Sequence, residues 1–277
     1  MPVDVVEVVQ TIVITGASSG IGLAAAELLA ARGDQVVLVG RDEGRLDAAV
    51  ERVRAARPGT EPGRFRADFE RLDDVRALAD HLLSAYPRID VLINNAGMVA
   101  MAHRRTVDGH EATIQANHLG HFLLSTLLRE RLRGGRIINT SVRPAANVRI
   151  DPGRLGLPEQ GYSGIAAYQN SKAANVLFAM EAARRWPDIL SVSLHPGLVR
   201  TDIGRGTPLR FVFRYAPGLL TPQRSAERMV RLATAPRTEL VNGALHDGRR
   251  VFRPNARIFN EGNATRLWET SSRASAV

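Results

Sequence analysis

The feature that most constrains this chain is an alternation. A short β-branched run is followed by an alanine- and leucine-rich helical stretch, again and again, with no linker, low-complexity segment or fixed-period repeat between them. This is the sign of βαβ units laid on a parallel sheet, because a strand covered by helices on both faces reads as a nearly continuous apolar run. Candidate strands are Thr11–Thr15, Gln35–Val39, Arg64–Ala67, Val91–Ile93, Arg136–Thr140, Leu190–Leu194 and a short one near Ala244–Leu245. Candidate helices are Ile21–Arg32, Glu43–Ala56, Leu72–Tyr86, Val107–Arg131, Ala166–Trp186, Gln223–Ala233 and Glu261–Ser272. Thr221 followed by Pro222 reads as an N-cap with proline at the first helical position. The expectation is one doubly wound α/β domain over residues 1–277, with residues 1–9 as an N-terminal extension. Its single parallel sheet should hold about seven strands with helices on both faces.

The first strand-to-helix turn is Thr15-Gly16-Ala17-Ser18-Ser19-Gly20-Ile21-Gly22. Glycines here let the backbone approach a pyrophosphate while the helix N-terminus faces its charge. The spacing is G-x-x-x-G-x-G rather than G-x-G-x-x-G, and a glycine-rich turn alone is weak, since many such turns bind nothing. Position adds to it: the turn follows an apolar strand and opens a helix. The second strand ends at Gly40-Arg41-Asp42, where a dinucleotide's adenosine ribose lies; an acid there favours NAD(H), and an arginine accommodates the 2′-phosphate of NADP(H). Arg41 therefore points to NADP(H), the bland reading being one more exposed arginine.

Of the 37 lysines and arginines only one, Lys172, is a lysine. An ammonium is a compact charge whose neighbours can shift its pKa, so a site needing proton chemistry can demand lysine specifically. Tyr168 lies four residues earlier, on the same face of a helix over 164–186. A nearby cation favours phenolate, so the spacing predicts a Tyr168 pKa drawn below its usual value of about 10, toward general acid and base work. Tyr and Lys four apart also occur by chance on many helices.

Other classes are disfavoured. The absence of cysteine removes disulfides and thiolate metal sites and fits a reducing cytoplasm. Met1 to Gln10 lacks the positive flank of a secretory signal. The longest apolar run, Ile21 to Ala31, is broken by Gly22 and Glu27 and falls short of the roughly 20 residues of a membrane span. A net charge of +9 suggests nucleic acid, yet the arginines are dispersed and aromatics make up 5% of the chain, so stacking platforms are scarce. His118 and His121 lack a third ligand at metal spacing, so they read as structural or substrate-facing, and no metal is expected.

Four motifs stand in order: the glycine turn, Asn94-Asn95-Ala96-Gly97, Tyr168-x-x-x-Lys172 and Pro196-Gly197-x-x-x-Thr201. Together they resemble the short-chain dehydrogenase/reductase family over roughly residues 10–272. The runs Gln115-Ala116-Asn117-His118-Leu119-Gly120-His121-Phe122 and Lys172-Ala173-Ala174-Asn175, the insert Val148–Gly164 and the tail to Trp268 are similar to its retinol-dehydrogenase-like members. Many animal relatives carry an N-terminal membrane anchor, which is not expected here. The resemblance implies a Rossmann-type fold and hydride transfer between NADP(H) and a carbonyl or alcohol. Gly16, Ser18, Ser19, Gly20 and Ile21 would line the pyrophosphate, Arg41 the 2′-phosphate, Asp68 the adenine, and Asn95, Ala96 and Gly97 the adenosine side. Asn117 would interrupt its helix and hold a water relaying protons to Lys172. Lys172 would hold the nicotinamide ribose, Tyr168 would be the acid and base, and Pro196, Gly197, Val199 and Thr201 would cover the nicotinamide. The family places its substrate lid at 202–220. There Arg205, Arg210 and Arg214 alternate with Phe211, Phe213 and Tyr215, which suggests an apolar or anionic small-molecule substrate, a membrane surface being a lesser option. Nucleic acid is not an expected partner, and a homo-oligomer is left open.

One position departs from the family. Its usual Asn-x-Ser-Ser, with the catalytic serine last, reads here Asn139-Thr140-Ser141-Val142. A one-residue slip in an extended segment turns a side chain to the opposite face, so Ser141 serves only if the loop bulges. Losing one such donor costs about 10²–10³ in rate. The alternative reading is therefore a protein that keeps the fold and cofactor pocket but has weak or non-redox activity.

Overall fold

The computed structural model describes residues 9–145, 148–199 and 219–277. Eight strands form one sheet: β1 (Thr11–Thr15), β2 (Gln35–Gly40), β3 (Gly63–Arg66), β4 (Val91–Asn94), β5 (Arg136–Thr140), β6 (Leu190–His195), β7 (Leu245–Asp247) and β8 (Arg250–Phe252). Their order across the sheet is β3-β2-β1-β4-β5-β6-β7-β8. All neighbours are parallel except β7 and β8. The order reverses direction between β1 and β4, and at such a switch point the carboxyl ends of the strands open a crevice for ligands.

The helices are α1 (Gly20–Arg32), α2 (Glu43–Ala56), α3 (Leu72–Ala85), a composite α4 (112–127), α5 (Gly164–Arg185), α6 (Pro222–Thr234) and α7 (Glu261–Ser275). Alternation along the central strands divides the core. Ile12, Ile14, Val36 and Leu38 face the layer holding Leu29 of α1 and Met229 and Leu232 of α6. Val13, Val37, Val39 and Leu92 face the opposite layer, with Leu78 and Leu82 of α3 and Phe122 of α4. A third cluster joins α5 to α7 through Leu177, Ala264 and Leu267. Trp268 of α7 packs edge-on to Phe122 and Trp186, with ring centroids 5.0 and 4.9 Å away, so the last helix clamps α4 against α5. The proline start of α6 is as expected, with the Thr221 hydroxyl accepting from the Arg224 N–H.

Two expectations need correction. The sheet has eight strands rather than about seven: β8 is three residues long, too short to show a period, and it exists because Gly248 turns it back onto β7. The helix foreseen over Val107–Arg131 begins only at Ala112. The Glu111 carboxylate accepts from the Thr113 and Ile114 N–H groups and caps it there. From that cap α4 runs as Ala112–Ile114, a π-helical turn at Gln115–Leu119, and Gly120–Leu127, after which a 3₁₀ turn covers Arg129–Leu132.

Candidate active site

The crevice at the switch point has two walls. On one side, Gly16 has φ +67°, and a Cβ there would lie 2.8 Å from the Ala96 Cα. The turns after β1 and β4 thus approach so closely that only glycine fits. The Thr15 hydroxyl accepts from the Asn95 N–H at 2.9 Å and the Ala96 N–H at 3.0 Å, while Asn95 Nδ2 donates to the Thr15 carbonyl at 2.9 Å. Helix α1 starts without a side-chain cap, since the Ser19 hydroxyl makes no capping bond. No side chain among the described residues takes up its first N–H groups, and a helix start of this kind can bind an anion. Ser18, Gly20 and Ile21 are partly open and Ser19 is exposed.

Arg41 stands at the tip of β2 with its side chain 64% exposed, its guanidinium 3.3 Å from Glu70. Asp68 accepts from the Glu70 N–H at 3.0 Å, which folds the loop after β3 beneath that arginine. Beyond β6, the Ser225 hydroxyl holds the Pro196 carbonyl at 2.9 Å. Val199 bridges Leu220, and the Leu220 N–H donates to the Leu198 carbonyl at 2.7 Å, so the two ends of the loop expected as a lid meet beside Gly197. Thr201 and residues 202–218 of that expected lid lie outside the described residues. A glycine turn under an uncapped helix start, with a cation at the next strand tip, fits a nicotinamide dinucleotide.

The other wall comes from α4 and α5. The Ser163 hydroxyl caps α5 by accepting from the Ala166 N–H, and the helix places Tyr168 and Lys172 one turn apart on one face. Lys172 is only 2% exposed. Its Nζ lies 5.7 Å from the Tyr168 ring centroid and donates to the Thr140 carbonyl at 3.1 Å. Burial draws Lys172 down to about 8 and pushes Tyr168 up to about 12. This corrects the expectation that the ammonium lowers the phenol: desolvation disfavours both charged forms, and the lysine's charge is directed at a carbonyl rather than at the phenol oxygen.

Asn117 lies in the π turn, fully buried. Its Oδ1 accepts from the Met98 N–H at 2.8 Å, and its Nδ2 donates to the Met98 carbonyl and the Ser171 hydroxyl, both at 2.9 Å. Its main-chain carbonyl accepts from Asn175 Nδ2 and His121 Nδ1, both at 3.1 Å. Asn117, expected to hold a relay water, thus already has its main-chain carbonyl taken by two protein donors and its side chain by Met98 and Ser171. Gly97 completes the contact between the walls: a Cβ there would come within 3.3 Å of both Asn117 Oδ1 and Lys172 Nζ.

Ser141 is turned inward. It is 1% exposed, its N–H donates to the Leu194 carbonyl at 2.8 Å, and its hydroxyl donates to the Lys172 carbonyl at 2.6 Å. Val142, next in the extended segment, is only partly buried. Ser141 therefore braces α5 against the end of β5, and the outward place beyond it belongs to a valine.

Two contributors were not singled out by the sequence, and a third, His121, was expected only as a structural or substrate-facing histidine. Thr15 joins the turns after β1 and β4, Asn175 donates to the Asn117 and Thr140 carbonyls, and His121 contacts both Thr15 and Asn117. Asn175 had a signal, since it lies three residues after Lys172 and so shares its helix face. For Thr15 and His121 the signal was a polar side chain in an otherwise apolar run, which does not say what it touches.

The chain matches the family model described as short chain dehydrogenase over residues 10–208. It is 49% identical over 265 residues to a protein of Streptomyces sp. (strain C5) provisionally named daunorubicin C-13 ketoreductase DnrU, covering 96% of this chain and 92% of that one. It is 34% identical over 277 residues to retinol dehydrogenase 13 of Homo sapiens, covering 95% of this chain and 84% of that one. Among solved structures, an uncharacterised protein of Mycobacterium Paratuberculosis superposes with a TM-score of 0.77 at 30% identity, covering 97% of this chain and 94% of that one. With the switch-point crevice and the Tyr168, Lys172 and Asn117 cluster in place, the chain belongs to the short-chain dehydrogenase/reductase family, enzymes that interconvert carbonyls and alcohols with a nicotinamide cofactor.

Proposed function

We propose that this enzyme is an NADP(H)-dependent ketoreductase acting on an apolar carbonyl substrate, with Tyr168 as the proton donor. The observation that carries the reading is the meeting of Gly97, Asn117 and Lys172 beside Tyr168 at the mouth of the glycine-lined crevice. NADP(H), when bound, supplies or accepts the hydride. Gly16, Ser18, Ser19, Gly20 and Ile21 would hold its pyrophosphate and Arg41 its 2′-phosphate, with Glu70 the ion-pair partner that Arg41 exchanges for it. Asp68, Asn95 and Ala96 would border the adenosine, and Pro196, Gly197, Val199 and Thr201 the nicotinamide.

Tyr168, at about 12, stays protonated at neutral pH and so is ready to give its proton to a carbonyl oxygen. Lys172, at about 8, is still mostly charged there and would hold the nicotinamide ribose beside Tyr168. Ser141 is assigned a bracing role, because its hydroxyl is spent on the Lys172 carbonyl. The substrate oxygen then relies on Tyr168 alone at the place where the family supplies a second donor. The relatives, one named as a ketoreductase and one as a retinol dehydrogenase, support redox chemistry on an apolar carbonyl or alcohol, and they give no support to a non-redox binding protein. Following cofactor oxidation with a panel of apolar ketones and aldehydes tests the reading. NADPH-dependent reduction is expected, and absence of turnover with every carbonyl would overturn it.

A further inference from the structure

His121 is buried, belongs to no step above, and stands between the two walls of the crevice. Its Nδ1 lies 3.1 Å from the Asn117 carbonyl oxygen, and its Nε2 lies 2.9 Å from the Thr15 hydroxyl. The directions of these bonds follow from the partners. A carbonyl only accepts, so Nδ1 carries the hydrogen, and in a neutral ring Nε2 is then an acceptor. The Thr15 oxygen already accepts from the Asn95 and Ala96 N–H groups, so its own hydrogen is free to go to Nε2, closer than the other acceptor, the Ile93 carbonyl at 3.3 Å. The ring is held against Phe69 with centroids 4.5 Å apart. Burial keeps it neutral, with a pKa drawn to about 3, so this direction of donation holds across the working pH range.

We propose that His121 is a positioning residue that ties the cofactor turn to the catalytic helix. Through Nε2 it orders Thr15 and with it the Asn95 and Ala96 amides. Through Nδ1 it holds the carbonyl of the π turn that aims Asn117 at Gly97 and Ser171. Asn175 takes the second position on that carbonyl and also reaches the Thr140 carbonyl that binds Lys172. The histidine therefore touches both systems directly, Thr15 on one side and the Asn117 carbonyl on the other.

The two halves can be separated, because asparagine places its amide near the Nδ1 position of histidine and glutamine places its amide near Nε2. His121→Asn keeps the bond to Asn117 and drops the one to Thr15. It should raise the cofactor Kd about tenfold, the weight of one hydrogen bond, with kcat retained. His121→Gln does the reverse and should lower kcat about 10²-fold through a misplaced catalytic helix, with cofactor Kd retained. Thr15→Val should reproduce the loss of affinity seen in His121→Asn, and Thr15→Ser, which keeps the hydroxyl, should restore it. The kinetic readings rest on the cofactor-dependent function proposed above, so amide hydrogen exchange is measured without cofactor. His121→Gln should speed exchange in peptides over 115–122 and His121→Asn in peptides over 94–97. Identical effects of the two variants on Kd, kcat and exchange, or a Thr15→Val protein that binds cofactor like the parent, would overturn the proposal.

Discussion

The hydroxyl of Ser141 donates to the main-chain carbonyl of Lys172 at 2.6 Å, inside the protein rather than in the crevice. A buried donor committed to a helix carbonyl cannot also hold a substrate oxygen. Ser141→Ala should therefore leave kcat nearly unchanged and lower stability by about 1 kcal/mol, the net weight of one hydrogen bond, since the Lys172 carbonyl keeps its place in the helix. Val142→Ser should raise kcat, because it returns a hydroxyl to the outward place. Thermal melts paired with steady-state rates decide it: a Ser141→Ala protein that is dead but fully stable would show that the serine reaches the substrate after all.

Tyr168→Phe should abolish turnover while cofactor affinity stays close to that of the parent, since only the proton donor is lost. Lys172→Arg should fail as well. Lys172 is 2% exposed and reaches the Thr140 carbonyl with a slim ammonium, and a planar guanidinium has no room to replace it. Rates and binding titrations on both variants check the pair, and full activity in either refutes the roles.

Arg41→Asp should shift preference from NADP(H) to NAD(H), because a carboxylate repels a 2′-phosphate and accepts from ribose hydroxyls. The arginine is mostly exposed and Glu70 keeps a second partner in Arg104, so little stability should be lost. Fluorescence titration with both reduced cofactors reads the change. Tighter NADH than NADPH binding by the parent would sink the assignment.

Two pH windows follow from burial. Lys172 drops from 10.5 to about 8, so kcat/KM for reduction should bend downward near pH 8 as the ammonium is lost. His118 and His121 fall from 6.5 to about 4 and about 3. Between those values and 6.5 the unfolded chain binds more protons than the folded one, so stability should decline as pH falls below about 6.5 and level off near 3. Lys172 has the same sign in its own window: its burial cost is present below about 8 and relieved toward 10.5. Denaturant melts from pH 4 to 9 test the acid limb, and a flat profile between 6.5 and 4 would contradict neutral buried histidines.

The β-branched runs, the glycine turn and the Tyr168 to Lys172 spacing were legible in the sequence because each obeys a short-range rule: a strand period, a close-approach glycine, a shared helix face. β8 and the capped start of α4 were not legible, since a three-residue strand has no period and Glu111 acts as a cap only where the chain has turned. The sequence by itself determined the fold class, the place of the crevice and the pair at its mouth. Only the tertiary structure decided which way Ser141 points, that Tyr168 rises rather than falls, that His121 joins the two walls by meeting Thr15 106 residues away, and that Asn175 meets Asn117 58 residues away within one wall. The physical reason is that hydrogen-bond direction and desolvation depend on what surrounds a group in space, and no local pattern encodes those neighbours.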